Sequence, residues 1–371
     1  MNRKLENPFL VAGYVSPEYF CDRESETERL VDAFRNGRNV TLLAPRRMGK
    51  TGLIRNAFYR LEKQGKWKTV YVDVFSTQCQ ADFTRLFASA VIGSMDSSVD
   101  KALSTATRFF KQFRPVVSVD PSTGAHSYSF GLDADNSEAS LKECFDYLAK
   151  RARHCVVAID EFQQVATYPE RGTEALLRSF IQFMPETRFV FSGSKRHMMA
   201  DMFSSPNRPF YNSTQIFPLG PISADSYYDF ASRHMKAGGI TLSRKVFDGL
   251  YSMFDGVTWY VQEVLNRLYG LRSASDGDVT RAVEGIVAES VYNFGNVVES
   301  LPPGSVRLLR AIAREGAVKE INAGSFIAKH GLKATSSVNV SLSKLREAGL
   351  VEKTDRGYIV EDRFFGMWLA R

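Results

Sequence analysis

The sequence predicts an α/β fold: a parallel sheet flanked by helices, then an all-helical stretch, then a small module of helices and a hairpin. Three observations carry this. A Gly49-Lys50-Thr51 loop lies between the apolar run Val40–Leu43 and a helix-patterned segment at 52–58. The run Cys155-Val156-Val157-Ala158-Ile159 is continuously apolar and ends in Asp160-Glu161, as does a strand buried on both faces of a parallel sheet. Past Ser223 the apolar spacing becomes helical.

The chain has 371 residues, enough for two or three domains. Its 44% hydrophobic and 24% charged residues are those of a globular protein. No stretch approaches the ~20 apolar residues of a membrane span, and the N-terminus lacks a signal-peptide core, so no membrane partner is expected. Cys21, Cys79, Cys144 and Cys155 lack paired spacing and read as reduced core cysteines in a cytoplasmic protein. The five histidines lack metal-ligand spacing. A net charge of +7 permits contact with a polyanion without establishing one.

In chain order, Phe20 is followed by a helix carrying Leu30, Val31 and Phe34 on its apolar face, with Asp22 or Ser25 as its cap. An aromatic and a helix just before a phosphate loop suit an adenine pocket, formed by Phe20, Asp22 and Arg23; the same helix also suits the sheet edge. The strand 40–43 then leads into Ala44-Pro45-Arg46-Arg47-Met48-Gly49-Lys50-Thr51, with Gly52 opening the next helix. Such a loop aims backbone N–H groups at phosphates, and the helix offers its N-terminus to the anion. Lys50 is expected to reach the β- and γ-phosphates, and Thr51 to ligate Mg²⁺. Ala44 stands where the leading glycine is usual.

Residues 67–75 read as a second strand, and helical patterning covers 82–94 and again the approach to Phe113. Alternating runs flank Asp120-Pro121-Ser122-Thr123-Gly124, which predicts a hairpin inserted at about 115–131. A helix over 137–151 precedes the acidic strand. There Asp160 is the expected Mg²⁺ ligand and Glu161 the general base toward water. The strand 188–192 ends in Ser192-Gly193-Ser194, where Ser192 or Ser194 is suited to sense the γ-phosphate. Lys195, Arg196, His197 and Arg208 follow as candidate phosphate contacts. A short fifth strand covers 215–219.

Residues 223–300 read as a helical domain, with Asp255-Gly256-Val257-Thr258 placed to abut base or ribose. Leu301-Pro302-Pro303-Gly304 marks a boundary. The last 71 residues hold 12 Lys and Arg against 7 Asp and Glu. Helices over 305–314, 323–330 and 336–347 and a hairpin over 350–360 make a winged-helix pattern. The third helix carries Ser336, Ser337, Asn339, Ser341, Ser343 and Lys344, which suit DNA contacts or a plain solvent face. The domains are therefore 1–222, 223–300 and 301–371.

These residues resemble the archaeal-type ATPase family, a branch of the signal-transducing P-loop ATPases related to AAA+ proteins. The resemblance rests on Phe20-Cys21-Asp22-Arg23-Glu24, Pro45-Arg46-Arg47-Met48-Gly49-Lys50-Thr51, Ile159-Asp160-Glu161, Ser192-Gly193-Ser194, Pro209-Phe210-Tyr211 and Asp362-Arg363-Phe364-Phe365-Gly366-Met367-Trp368-Leu369. It implies a five-stranded parallel sheet, a helical lid and a C-terminal winged helix, with ATP and Mg²⁺ as ligands. Departures are Ala44, Asp22 where relatives usually have glycine, Ser213 where they often have arginine, and a turn at 256–258 without Gly-x-Pro. The missing arginine makes slow hydrolysis without a partner the expectation.

Two functions follow as expectations. One is an ATP-hydrolysing switch, with Lys50, Ser192 and Glu161 in catalysis, coupled to an unidentified protein partner. The other is an ATP-dependent DNA-binding regulator or DNA-loading protein that grips duplex DNA through the winged helix. Self-association on ATP binding fits either.

Overall fold

The computed structural model of the protein describes residues 5–95, 114–119, 126–131, 136–151 and 153–371. The chain divides into two compact units, Ala12–Tyr227 and Leu5–Val11 with Tyr228–Arg371.

The first unit runs α1 (Glu24–Arg35), β1 (Val40–Leu43), α2 (Lys50–Glu62), β2 (Lys68–Asp73), α3 (Gln80–Met95), β3 (Arg114–Val119), β4 (His126–Gly131), α4 (Ser137–Arg151), β5 (Cys155–Asp160), α5 (Thr173–Ile181), β6 (Thr187–Gly193), α6 (Arg196–Ser204) and β7 (Gln215–Pro218). Five strands form one sheet in the order β2-β5-β6-β1-β7, and every neighbouring pair is parallel. β5 is buried at all six positions, which explains its continuous apolar run. Its register sets Asp73 opposite Asp160, and β6 sets Ser192 opposite Leu42 of β1. The carboxyl ends of β1, β2, β5 and β6 therefore meet along one edge, where ligands of open parallel sheets bind.

The expected hairpin is present as the antiparallel pair β3–β4. The helical patterning toward Phe113 and the Asp120–Gly124 turn lie outside the described residues. α2 buries Leu53, Ile54, Ala57, Phe58 and Leu61 at helical spacing, each large side chain contributing about 2 kcal/mol. Phe162, Phe191, Phe203 and Phe210 pack with ring centroids 4.6–5.8 Å apart behind β5 and β6. Neither Asp22 nor Ser25 caps α1. Arg23 takes the cap position in the left-handed region without a side-chain cap bond, and the Ser25 hydroxyl donates to Glu26 instead.

The second unit is helical up to residue 299. It contains most of α7 (Ala224–Ala237), then α8 (Arg244–Met253), α9 (Thr258–Leu271), α10 (Asp276–Glu289) and α11 (Val291–Glu299). The N-terminal segment Leu5–Val11 belongs here because Phe9 is fully buried against Phe230, His234 and Tyr269. Asn266 and Trp259 hold the backbone carbonyls of Phe9 and Val11. The winged helix follows: α12 (Pro303–Glu315), α13 (Gly324–Lys329), α14 (Thr335–Glu347), β8 (Val351–Thr354), β9 (Gly357–Val360) and a terminal helix α15 (Arg363–Ala370). Gly357 is required in the wing. Its φ is +117°, and a Cβ there would lie 2.4 Å from the Val318 carbonyl oxygen. No described helix is long and apolar enough to cross a membrane.

Candidate active site

The loop between β1 and α2 is shaped by two left-handed residues, Arg47 (φ +66°) and Gly49 (φ +84°). Glycine reaches that region freely, whereas arginine there stores backbone strain of the kind found at ligand clamps. Lys50 opens α2, is buried, and folds its ammonium back over the loop. It donates to the Ala44 carbonyl at 3.2 Å and the Pro45 carbonyl at 2.9 Å. The ammonium thus sits at the mouth of the loop. Ala44 is itself fully buried, so this small side chain is accommodated where a glycine was the expected residue.

Asp160, 4% exposed, gathers four donors. The Thr51 hydroxyl (2.9 Å) and the Tyr71 hydroxyl (2.6 Å) donate to Oδ2. The Ser192 hydroxyl and the Glu161 amide donate to Oδ1. Thr51 and Asp160, the two expected metal ligands, are thereby brought together. Ser192 is fully buried, and its hydroxyl is spent on Asp160.

Glu161 is in the left-handed region (φ +56°). Its Oε2 accepts from the Ser194 hydroxyl at 2.7 Å, from the Ser194 amide at 3.4 Å and from the Gln163 carboxamide. Of the two serines that the sequence offered, each therefore serves a different carboxylate. Asp73 completes a row of three acids. Asp73 is exposed at the end of β2, yet partial desolvation, and then the charges of Asp160 and Glu161, lift its carboxyl above the usual range despite a bond from the Phe75 amide.

Phe20 lies against α2 so closely that a Cβ on Gly52 would fall 2.9 Å from its ring. Tyr14 meets Phe20 edge-on at 5.8 Å. Arg23 is almost fully buried and donates to Glu26 at 2.8 Å and to the Met48 carbonyl at 3.1 Å. It braces the phosphate loop from beneath. Asp22 (φ +47°) shapes the turn into Arg23. Arg46 is half-buried on the loop. Arg208 is paired with Glu174 at 2.6 Å and Asp201 at 3.4 Å. Asp255 pairs with Arg356 and, at 2.9 Å, with Arg363 of the winged helix.

Sequence reasoning missed Tyr71 and Gln163. Tyr71 faces Ala158 in the β2–β5 register, and that small neighbour lets the phenol reach Asp160 diagonally. Burial, then the Asp160 charge and hydrogen bond, push the Tyr71 phenol far above its usual value, so it stays a donor. Arg55 stacks on its ring at 3.8 Å. For Gln163, the sequence carried no distinguishing signal, since Gln164 beside it has the same chemistry and only the turn decides which amide meets Glu161.

Residues 20–264 match the family described as an ATPase domain predominantly from Archaea, and residues 292–371 match a probable winged helix domain. Among solved structures, a Walker-type ATPase of Pyrococcus abyssi is similar at 17% identity and a TM-score of 0.66, covering 98% of this chain and 100% of that one. The Orc2 protein of Aeropyrum pernix, in ADPNP and ADP complexes, gives 0.59 at 15% identity over 98% and 95%. The Orc1 protein of Aeropyrum pernix in complex with DNA gives 0.56 at 15% over 98% and 96%. These likenesses establish a P-loop ATPase fold with a C-terminal winged helix. Comparison with curated protein sequences gives no match.

Proposed function

The chain belongs to the ATPase family predominantly from Archaea, and on that premise we propose that it is an ATP-hydrolysing molecular switch. The observation that carries this is the paired arrangement at the ends of β5 and β6. Asp160 is tied to Thr51, and Glu161 is held separately by Ser194, both beside the loop that Lys50 covers.

Lys50 would exchange its two loop carbonyls for phosphate oxygens. Backbone N–H groups of residues 46–51 and the N-terminus of α2 would hold the remaining phosphate charge. The residues present fit Mg²⁺, which is commonly held by one or two protein oxygens together with phosphates and waters. Thr51 Oγ1 and Asp160 would hold it, with Tyr71 and Ser192 fixing the carboxylate. When bound, Mg²⁺ supplies neutralisation of charge on the phosphates. Glu161 would accept the proton of the attacking water as oxygen bonds to the γ-phosphorus and the bond to the β-phosphate oxygen breaks. Phe20 would line the adenine side, with Arg23 supporting the loop. ATP and ADP act as a switch only if they favour different arrangements of the chain, which is a population shift. A protein partner at the winged helix is the proposed readout.

Steady-state ATP hydrolysis with Mg²⁺ tests the reading. Lys50→Ala is expected to abolish tight nucleotide binding. Glu161→Gln is expected to keep nucleotide binding and lose about a hundredfold or more in turnover. Unchanged turnover in Glu161→Gln would remove it from the mechanism.

One observation favours a second reading, duplex DNA binding. The outer face of α14 exposes Ser336, Ser337, Asn339, Ser343, Lys344 and Arg346, flanked by exposed Lys333. Short polar side chains among cations suit phosphate contacts. DNA affinity that falls steeply with salt, and is lost in Lys344→Ala with Arg346→Ala, would support it. No binding at low salt would eliminate it.

A further inference from the structure

Gln163 has a partner that a merely structural amide would not need. It lies in the turn Phe162–Thr167 directly after Glu161 and is 3% exposed. Its Nε2 donates to Glu161 Oε2 at 2.5 Å, the same oxygen that takes the Ser194 hydroxyl and amide. Its Oε1 is buried and accepts no hydrogen bond among the described residues. A buried carbonyl left unsatisfied is costly, and native proteins keep few of them.

The far side of the amide explains a second residue. A Cβ on Gly193 would fall 2.0 Å from Gln163 Oε1 and 2.8 Å from Met199 Sδ. Gly193 is not forced by backbone angle, since its φ is not positive. The Gln163 amide, with the Met199 side chain beside it, leaves no room for a Cβ there. Three donors from two elements thus converge on one oxygen of Glu161.

We propose that Gln163 is a positioning residue for Glu161. Its carboxamide, wedged against Gly193, fixes Oε2 together with Ser194, so that Oε1 is the atom turned to the attacking water. This rests on Glu161 being the general base. A carboxylate released from one of its donors rotates about its last side-chain bond, and small misplacement of a reacting group is expensive in rate.

The test uses the full-length protein and four variants: Gln163→Met, Gly193→Ala, Glu161→Gln and the double variant Glu161→Gln/Gln163→Met. Methionine keeps the length of the side chain while removing both the donor and the unsatisfied carbonyl. Gln163→Met is expected to melt at or above the wild-type temperature. Its kcat should fall about tenfold, with KM for ATP and the affinity for a fluorescent ATP analogue nearly unchanged. Gly193→Ala, which displaces the amide from the other side, should show the same split between kcat and KM. In the Glu161→Gln background, Gln163→Met should cost nothing further.

Wild-type kcat in a folded Gln163→Met protein, with Glu161→Gln inactive, would overturn the proposal while leaving the assignment of Glu161 intact. Equal loss in nucleotide affinity and kcat would also overturn it, since that marks a structural role. Should Glu161→Gln itself turn over normally, the parent reading fails first, and the two failures are told apart by that single variant.

Discussion

Asp73 illustrates how a neighbour's charge can be read as a stability effect. It ends β2 opposite Asp160, exposed on its outer side, and partial desolvation, followed by the charges of Asp160 and Glu161, raises its carboxyl above the usual range. A carboxyl whose folded pKa lies above its unfolded value holds its proton more tightly in the folded state. Folding is therefore unpenalised below the unfolded pKa, loses stability as pH rises through the folded pKa, and carries the full penalty above it. Asp73→Asn keeps an acceptor for the Phe75 amide and removes the charge. In metal-free buffer it should raise the melting temperature at pH 8, with the gain shrinking toward zero near pH 3. A gain independent of pH would sink the electrostatic explanation. At this scale the gathering of Lys50, Thr51, Asp160 and Glu161 at one sheet edge was legible because it depends on residue identity and chain spacing. Tyr71 and Gln163 were not, since each acts through a neighbour that only strand register or a turn supplies.

At the scale of elements, what could be read depended on which physical signal dominated. β5 was plain because a strand covered on both faces has no polar alternation to confuse it. The cap of α1 was misjudged. Asp22 and Ser25 have the usual cap chemistry, but Arg23 is needed beneath the phosphate loop and takes the turn instead. α15 escaped notice as a helix because its aromatic-rich stretch has little polar face. Its N-terminus is nevertheless set locally, by the Asp362 side chain accepting from the Phe365 amide at 3.1 Å. Local chemistry also sets α10. The Ser275 hydroxyl and Asp278 carboxylate form a reciprocal capping box across the first turn. Ser275→Ala leaves the Asp278 amide without that acceptor and should cost about 1 kcal/mol, read by urea denaturation. A change under a few tenths would mean that solvent caps the helix as well.

Across the molecule, the helical stretch and the winged helix are joined within one compact unit, through α11, whose Phe294, Val297 and Val298 pack against the winged-helix core, and through α15. Two adjacent phenylalanines of α15 enter different clusters. Phe365 belongs to the winged-helix core with Leu309, Ile312, Val338, Leu342 and Leu345. Phe364 instead sits among Phe254, Trp259 and Tyr260, at centroid distances of 5.3, 6.2 and 5.2 Å. Beside it the Tyr260 hydroxyl accepts from the Arg363 amide at 3.1 Å and donates to the Glu361 carbonyl at 3.3 Å. Asp255 binds Arg363 and Arg356. Composition and periodicity suggested a boundary near Leu301 but could not show the joint, which depends on which face of α15 each ring occupies. Phe365→Ala should cost about 3–5 kcal/mol and strip hydrogen-exchange protection from α12 and α14. Phe364→Ala should lower protection in α9 and α15 and leave α12 and α14 protected. The winged-helix core, lacking Phe364, would then persist while its tether to the lid loosens. If the proposed switch reads nucleotide state through this joint, Phe364→Ala should retain ATP hydrolysis yet lose any difference between ATP- and ADP-bound exchange in α12 to α14. Equal loss of protection throughout the unit in Phe364→Ala would show that the winged helix has no stability apart from the helices it is joined to.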